Sequence, residues 1–373
     1  MKLSLISGHD WKYAYITDEE LRKTNVFPLA IAEINNLCDT FTATLPGCFE
    51  LNLFRSGLAP DPYFSNNIYL FRKYECCHQW YFSTFDSEKE SGVLHFECID
   101  TVADVIVNGK IVCRTENMFI PHECEINGLK KSGNEILVHV YPNEIAARSY
   151  YTPAMCFAQK YSYPALGLRR SPAYYGWDIF PRLACGGILG DIFLSDKKDE
   201  KFTEFYLYTA NINDDGARIN LFYDFSATSA TSDYKITVSG KCGESEFFYE
   251  FVPWHTNETA SFYINKPLLW FPRGYGKPNL YDVEIKLTKN GTVTDKKVLK
   301  FGIRTVRLYR TALATDDNAK FEFEINGKKV FVLGTNWVPV DALHEHYDEK
   351  VCGNLRAVID IGCNTVRVWG GGL

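Results

Sequence analysis

The stretch ADVIVNGKIVC, residues 103–113, sets two apolar runs on either side of Asn108-Gly109. Both central residues tolerate positive φ, which a type I′ turn requires, so the stretch predicts a tight β-hairpin. The same pair recurs in KNGTV (289–293) and INGKKVFVL (325–333). Around the first hairpin lie further runs of strand formers: VLHFECID (93–100), NEILVHVY (134–141) and GGILGDIFLS (186–195). Short strands separated by turn residues predict an antiparallel sandwich of jelly-roll type over residues 1–197. Before residue 68 the only expectation is a weak short helix within Asp18–Asn36.

The charged segment SDKKDEK (195–201) marks the first boundary. Beyond it EFYLYTAN, RINLFYDF, YKITVSG, FFYEFVP, NLYDVEIKLT and KVLKFGIRTVRLY read as strands. Their density predicts an immunoglobulin-like sandwich over 198–308. From residue 309 the pattern changes. KVFVLGTN (329–336) reads as a strand and TVRVW (365–369) as another. Between them DEKVCGNLRAVIDIG (348–362) repeats apolar residues at helical spacing, with Asp348 as N-cap and Gly362 just past the end. Strand, helix, strand is the unit of a parallel sheet. Residues 309–373 are too few for a closed barrel of about 250 residues. The expectation is therefore a mainly β chain: two sandwiches, then the first strands of a truncated (β/α)8 barrel.

The 373 residues carry a net charge of −6 without a basic stripe, which argues against nucleic acid and anionic membranes as partners. No run approaches the roughly 20 apolar residues of a membrane span. The start, MKLSLISGHDW, lacks the apolar core of a secretory leader. Twelve cysteines are dispersed without any CxxC, so free thiols and a cytoplasmic location are expected. Asn257 and Asn290 fit the glycosylation pattern, which matters only in a secreted protein.

SPAYYGWDIFPR (171–182) places one acid, Asp178, within a frame of tyrosine, tryptophan and phenylalanine. A sugar suits such a frame: its ring face stacks on an aromatic plane and its hydroxyls bond to a carboxylate. The other reading is that Asp178 caps a turn or pairs with Arg182. His344-Glu345-His346 lacks the HExxH spacing of a zinc site and reads as solvated surface, and no metal is expected.

Six stretches, in order, resemble the β-mannosidases of glycoside hydrolase family 2. They are ATLPGCFELNLFRSGLAPDPYFSNN (43–67), DTVADVIVNGKIVCRTENMFIPHECEI (100–126), YGWDIFPR (175–182), LLWFPRGYGKPNLYDVEI (268–285), NWVPVDAL (336–343) and NTVRVWGGG (364–372). The resemblance implies retaining hydrolysis of terminal β-linked mannose by two glutamates, without a cofactor. In look-alike enzymes those glutamates follow later barrel strands, so no catalytic residue is expected before Leu373 and the chain alone should be inactive. Asp178 matches the acid that bonds sugar hydroxyls there. Trp369 would stack on or wall the sugar, or belong to the barrel core. Arg367 would bond nearby carboxylates, and Gly370–Gly372 would let the loop turn. Asn336 and Trp337 stand between pocket wall and loop scaffold, with Asp341 further along. Trp177 would pack to fix the Asp178 loop, and Trp270 and Tyr275 would join sandwich to barrel. Ile179 departs from the family's GWDW motif. The alternatives are a non-catalytic carbohydrate-binding protein and another family 2 specificity. Oligomeric state is not legible.

Overall fold

In the computed structural model the described residues are 2–156, 162–178, 180–311 and 320–370. Ile179, Gly371 and Gly372 lie outside them. The chain forms two compact units. The first runs to Lys197 and adds Trp337–Leu355 and the residues from Val368; the second comprises Lys198–Asn336 and Arg356–Arg367.

The first unit is built on strand Cys77–Phe85, which pairs with Lys12–Thr17 on one side and Asn134–Val140 on the other. It sits inside a six-stranded antiparallel sheet that ends in the hairpin Ala103–Val107 and Lys110–Thr115. Asn108 and Gly109 adopt φ of 49° and 78°, as the type I′ turn demands. The Asn-Gly pairs at 290–291 and 326–327 do the same.

Successive residues of Cys77–Phe85 face opposite ways. Cys77, Tyr81 and Phe85 enter the main core with Leu94, Phe96, Val105 and Ile192. Trp80 and Phe82 enter a second cluster with Leu21 and Ile34, under helices Asp18–Thr24 and Ile31–Leu37. The weak helical signal there thus resolves into two helices. The first is fixed by a capping box: Glu20 N–H donates to Thr17 Oγ1 at 3.2 Å and Thr17 N–H to Glu20 Oε2 at 3.3 Å.

The thiol expectation needs correction at one pair. Cys113 and Cys124 form a disulfide with Cα atoms 5.7 Å apart, and ten cysteines are free. Disulfides persist in oxidising compartments, so the cysteine argument for a cytoplasmic location is weakened. No helix among the described residues is long and apolar enough to cross a membrane.

In the second unit seven strands form a sandwich of two sheets. Phe202–Asn213, Gly216–Phe225 and Asn257–Asn265 form one; Tyr234–Cys242, Ser245–Phe251, Tyr281–Lys289 and Thr292–Phe301 form the other. Ile219, Leu221, Tyr223, Ile236, Val283 and Ile285 fill the space between. Strand Asn257–Asn265 was not anticipated; its buried positions, Phe262 and Ile264, lie at one end only.

KVLKFGIRTVRLY is not one strand. It divides into Thr292–Phe301 and Val306–Arg310, the latter in a separate sheet with Phe321–Ile325 and Lys328–Val330. KVFVLGTN divides likewise, and Gly334–Trp337 pairs instead with Thr365–Val368. Trp270 and Tyr275 meet the segment between: the Trp270 carbonyl accepts from Asn326 Nδ2 at 2.8 Å, and the Tyr275 hydroxyl accepts from Phe331 N–H at 2.7 Å. Helix Tyr347–Asp360 begins one residue before the expected cap, and Gly362 ends it at φ 86°.

A buried histidine pair lies beneath the two N-terminal helices. His78 Nδ1 and His139 Nε2 share a hydrogen bond at 2.9 Å, and His78 Nε2 bonds Asp18 at 3.2 Å. His139 stacks on Trp80 with ring centroids 4.5 Å apart, and among the described residues its Nδ1 has no partner. Burial lowers the pKa of both rings, that of His139 strongly, so both are neutral in the fold at pH 7. A depressed histidine stabilises the fold fully above its unfolded pKa of about 6.5, and that stability is lost as pH falls below it. The melting temperature should therefore drop from about pH 7.5 to about pH 5.5, and His139→Phe should flatten the slope. An equal slope in the variant, followed by circular dichroism, would remove the histidine pair as its cause.

Candidate functional site

Asp178 sits at the tip of the hairpin formed by Tyr175–Trp177 and Phe180–Arg182. Gly176 has φ of 94°, a value that costs other residues dearly, and it lets the chain pass from buried Tyr175 to exposed Trp177. The base of the hairpin is tied down. Arg182 Nε and Nη2 donate to both oxygens of Glu75 at 2.8 and 2.9 Å, and Nη2 also bonds Glu144. These partners outweigh the cost of burial and hold the guanidinium protonated. Arg182 therefore serves the hairpin base. Among the described residues no partner pairs with the Asp178 carboxylate, which is exposed.

Trp177 is 44% exposed and meets the ring of Trp369 at 5.7 Å between centroids. Trp369 N–H in turn donates to the Trp337 carbonyl at 2.8 Å. The first unit therefore gathers Trp177, Trp337 and Trp369, with Asp178 next in sequence to the first. Both Trp337 and Trp369 are half-buried. In the second unit Arg367 Nη1 donates to Asn336 Oδ1 at 3.2 Å, and both side chains are exposed.

Asp341 is scaffold. It is 7% exposed and accepts from Tyr63 Oη at 3.0 Å, Leu343 N–H at 3.0 Å, Glu345 N–H at 3.1 Å and Lys350 Nζ. The solvated reading of 344–346 fails for two of its three residues. His344 bonds the Tyr174 hydroxyl and stacks on Tyr347 at 5.2 Å, and burial lowers its pKa. Glu345 pairs with Arg55 at 2.6 Å. Only His346 stays exposed. Among the described residues no cluster of His, Cys, Asp and Glu is arranged to hold a metal.

Sequence reasoning passed over Arg170. Only 4% exposed, it grips buried Asp100 with Nε at 2.7 and 3.0 Å and Nη2 at 2.9 Å. The available signal was the Arg169-Arg170 pair just before the aromatic stretch.

The family described as glycosyl hydrolase 2 galactose-binding domain-like matches residues 6–190, and glycosyl hydrolases family 2 matches residues 204–304. The chain belongs to glycosyl hydrolase family 2. Within that family it is 26% identical to a β-mannosidase of Capra hircus over 89% of this chain and 40% of that one. It is also 26% identical to β-mannosidase B of Thermothelomyces thermophilus, over 88% of this chain and 39% of the other. The crystal structure of a β-D-mannosidase from Dictyoglomus thermophilum superposes with a TM-score of 0.83 at 28% identity. That match covers all of this chain and 44% of the other. The chain thus spans about 40% of the length of the curated relatives it matches.

The loop after Trp337 depends on Asp341 more than on any other side chain named here. Asp341→Ala strands three donors and the Lys350 ammonium, and should cost about 3 kcal/mol. Calorimetry of the 373-residue chain checks this, and a loss under about 1 kcal/mol would mean water replaces the carboxylate.

Proposed function

We propose that this chain is the N-terminal portion of a retaining exo-β-mannosidase that removes terminal non-reducing β-D-mannose from oligosaccharides. The observation that carries the proposal is the pairing of Trp177 with Trp369 beside an unpartnered carboxylate, Asp178, in a family 2 chain related to β-mannosidases. In functional terms residues 1–197 form the sugar-binding-type module, 198–308 the spacer sandwich and 309–373 the start of the catalytic barrel.

Each proposed substrate residue has a chemical part. The Asp178 carboxylate accepts from two adjacent sugar hydroxyls. Such charge-assisted bonds are short and strong once water is excluded. Trp369 presents an indole face to the C–H side of the ring, and Trp177 holds that indole in place. Trp337 bonds the Trp369 backbone and so fixes where the indole stands. Arg367, steadied by Asn336, supplies fixed positive charge for carboxylates.

Hydrolysis with retention needs two glutamates about 5–5.5 Å apart, one as nucleophile and one as acid and then base. We assign both to sequence outside these 373 residues, in keeping with the share of the relatives that the chain spans. No cofactor enters this chemistry.

The protein carrying this chain should release mannose from aryl β-mannosides, whereas the 373-residue chain alone should release none. Asp178→Ala in the longer protein should lower kcat/KM about 100-fold, because its bonds tighten as positive charge develops on the sugar. An unchanged kcat/KM would remove Asp178 from the site. Turnover of another aryl glycoside in preference to the mannoside would overturn the specificity.

A further inference from the structure

Arg170 is a buried cation with no counterpart in the proposed chemistry. Its fork holds both oxygens of Asp100, and Nη2 also donates to the Leu183 carbonyl at 2.9 Å. Tyr174 and Tyr175 set their rings against the guanidinium, with centroids 4.9 and 5.1 Å from its carbon. Those tyrosines open the hairpin that carries Asp178, and Leu183 follows its last strand. Leu183 N–H closes the ring of contacts by donating to the Tyr174 carbonyl at 2.8 Å. Asp100 belongs to the opposite wall, in strand Ile99–Asp100, which pairs with Gly187–Ile188. One guanidinium therefore bonds or stacks on both ends of the hairpin and on the sandwich behind it.

We infer that Arg170 is a positioning residue that sets the Trp177–Asp178 tip against Trp369. The inference rests on the reading of Asp178 as the sugar-binding carboxylate. A planar fork with five fixed donors suits this task, because it dictates angle as well as distance. A lysine would keep the charge but lose the second bond to Asp100 and the flat face on which the tyrosines rest. Near the pair, Glu50 is 2% exposed, and among the described residues one of its oxygens, Arg170 Nη1 and the Tyr175 hydroxyl have no hydrogen-bond partner. Asp100 is the carboxylate that meets the charge, while the Leu183 carbonyl and the two tyrosine rings hold the same guanidinium to the hairpin.

The test reads the tryptophan pair directly and needs no sugar. Trp177 and Trp369 are close enough to give a coupled indole band in circular dichroism, defined by its loss in Trp177→Phe. Arg170→Lys in the 373-residue chain should fold with a cooperative melt yet lose the band. Arg170→Met should lose it too. Should that variant fail to fold, Arg170→Met with Asp100→Leu removes both charges and avoids a stranded carboxylate. Loss of the band in a folded variant supports positioning. A band of full strength in any folded variant overturns it and leaves Arg170 as a stability element only. Because mannoside is absent from the measurement, its outcome is separate from that of the hydrolysis assay.

Discussion

As the proposed ligand-binding carboxylate, Asp178 must be kept from finding a partner of its own. That constraint organises the first unit. Arg182, the cation closest in sequence after Asp178, is taken up by Glu75 and Glu144 at the hairpin base. Arg170, the cation just before the hairpin, is taken up by Asp100. With both guanidiniums engaged behind the hairpin, Asp178 is left at the tip next to Trp177, without an ion-pair partner among the described residues. Burying an ion costs several kcal/mol before any partner repays it. Two buried pairs therefore make poor economy as stability devices, and make sense as devices that fix orientation.

The hairpin could not hold this geometry alone, since two strands in water are marginal. Tyr174 and Tyr175 are buried to 1% and 0%, and they make the hairpin an outgrowth of the sandwich core. The sandwich in turn leans on strand Cys77–Phe85, which buries side chains on both faces. Its inner face packs in the main core and its outer face under the N-terminal helices. The site is thus three steps from the centre of the fold: strand, tyrosine pair, tip.

Local rules made much of this legible. Asn-Gly fixed three turns because positive φ is a property of the dipeptide and not of its surroundings. The seven-stranded sandwich was readable from period-two alternation, apart from Asn257–Asn265, where only Phe262 and Ile264 at its end carry the signal. What stayed hidden was long-range. Nothing near Arg170 in sequence points to Asp100, seventy residues earlier. Nor does His344 announce that Tyr174 will bond it. Cys113 and Cys124 become partners only when Lys110–Thr115 and His122–Asn127 come side by side. The runs KVFVLGTN and KVLKFGIRTVRLY misled because an apolar stretch says nothing of which sheet each half joins.

The segment after residue 320 shows pattern and burial parting company. Helix Tyr347–Asp360 has the spacing of an amphipathic helix, yet none of its residues is buried. Leu355 and Ile359 are 40% and 50% exposed, and Val366 and Val368 of the following strand are 38% and 60% exposed. Strands of a parallel sheet are normally covered on both faces, which is why they read as continuous apolar runs. Val366 and Val368 keep that composition without the cover. Each such side chain forgoes roughly half of the about 1.5–3 kcal/mol that full burial supplies. The sequence here is written for neighbours that the described residues do not supply.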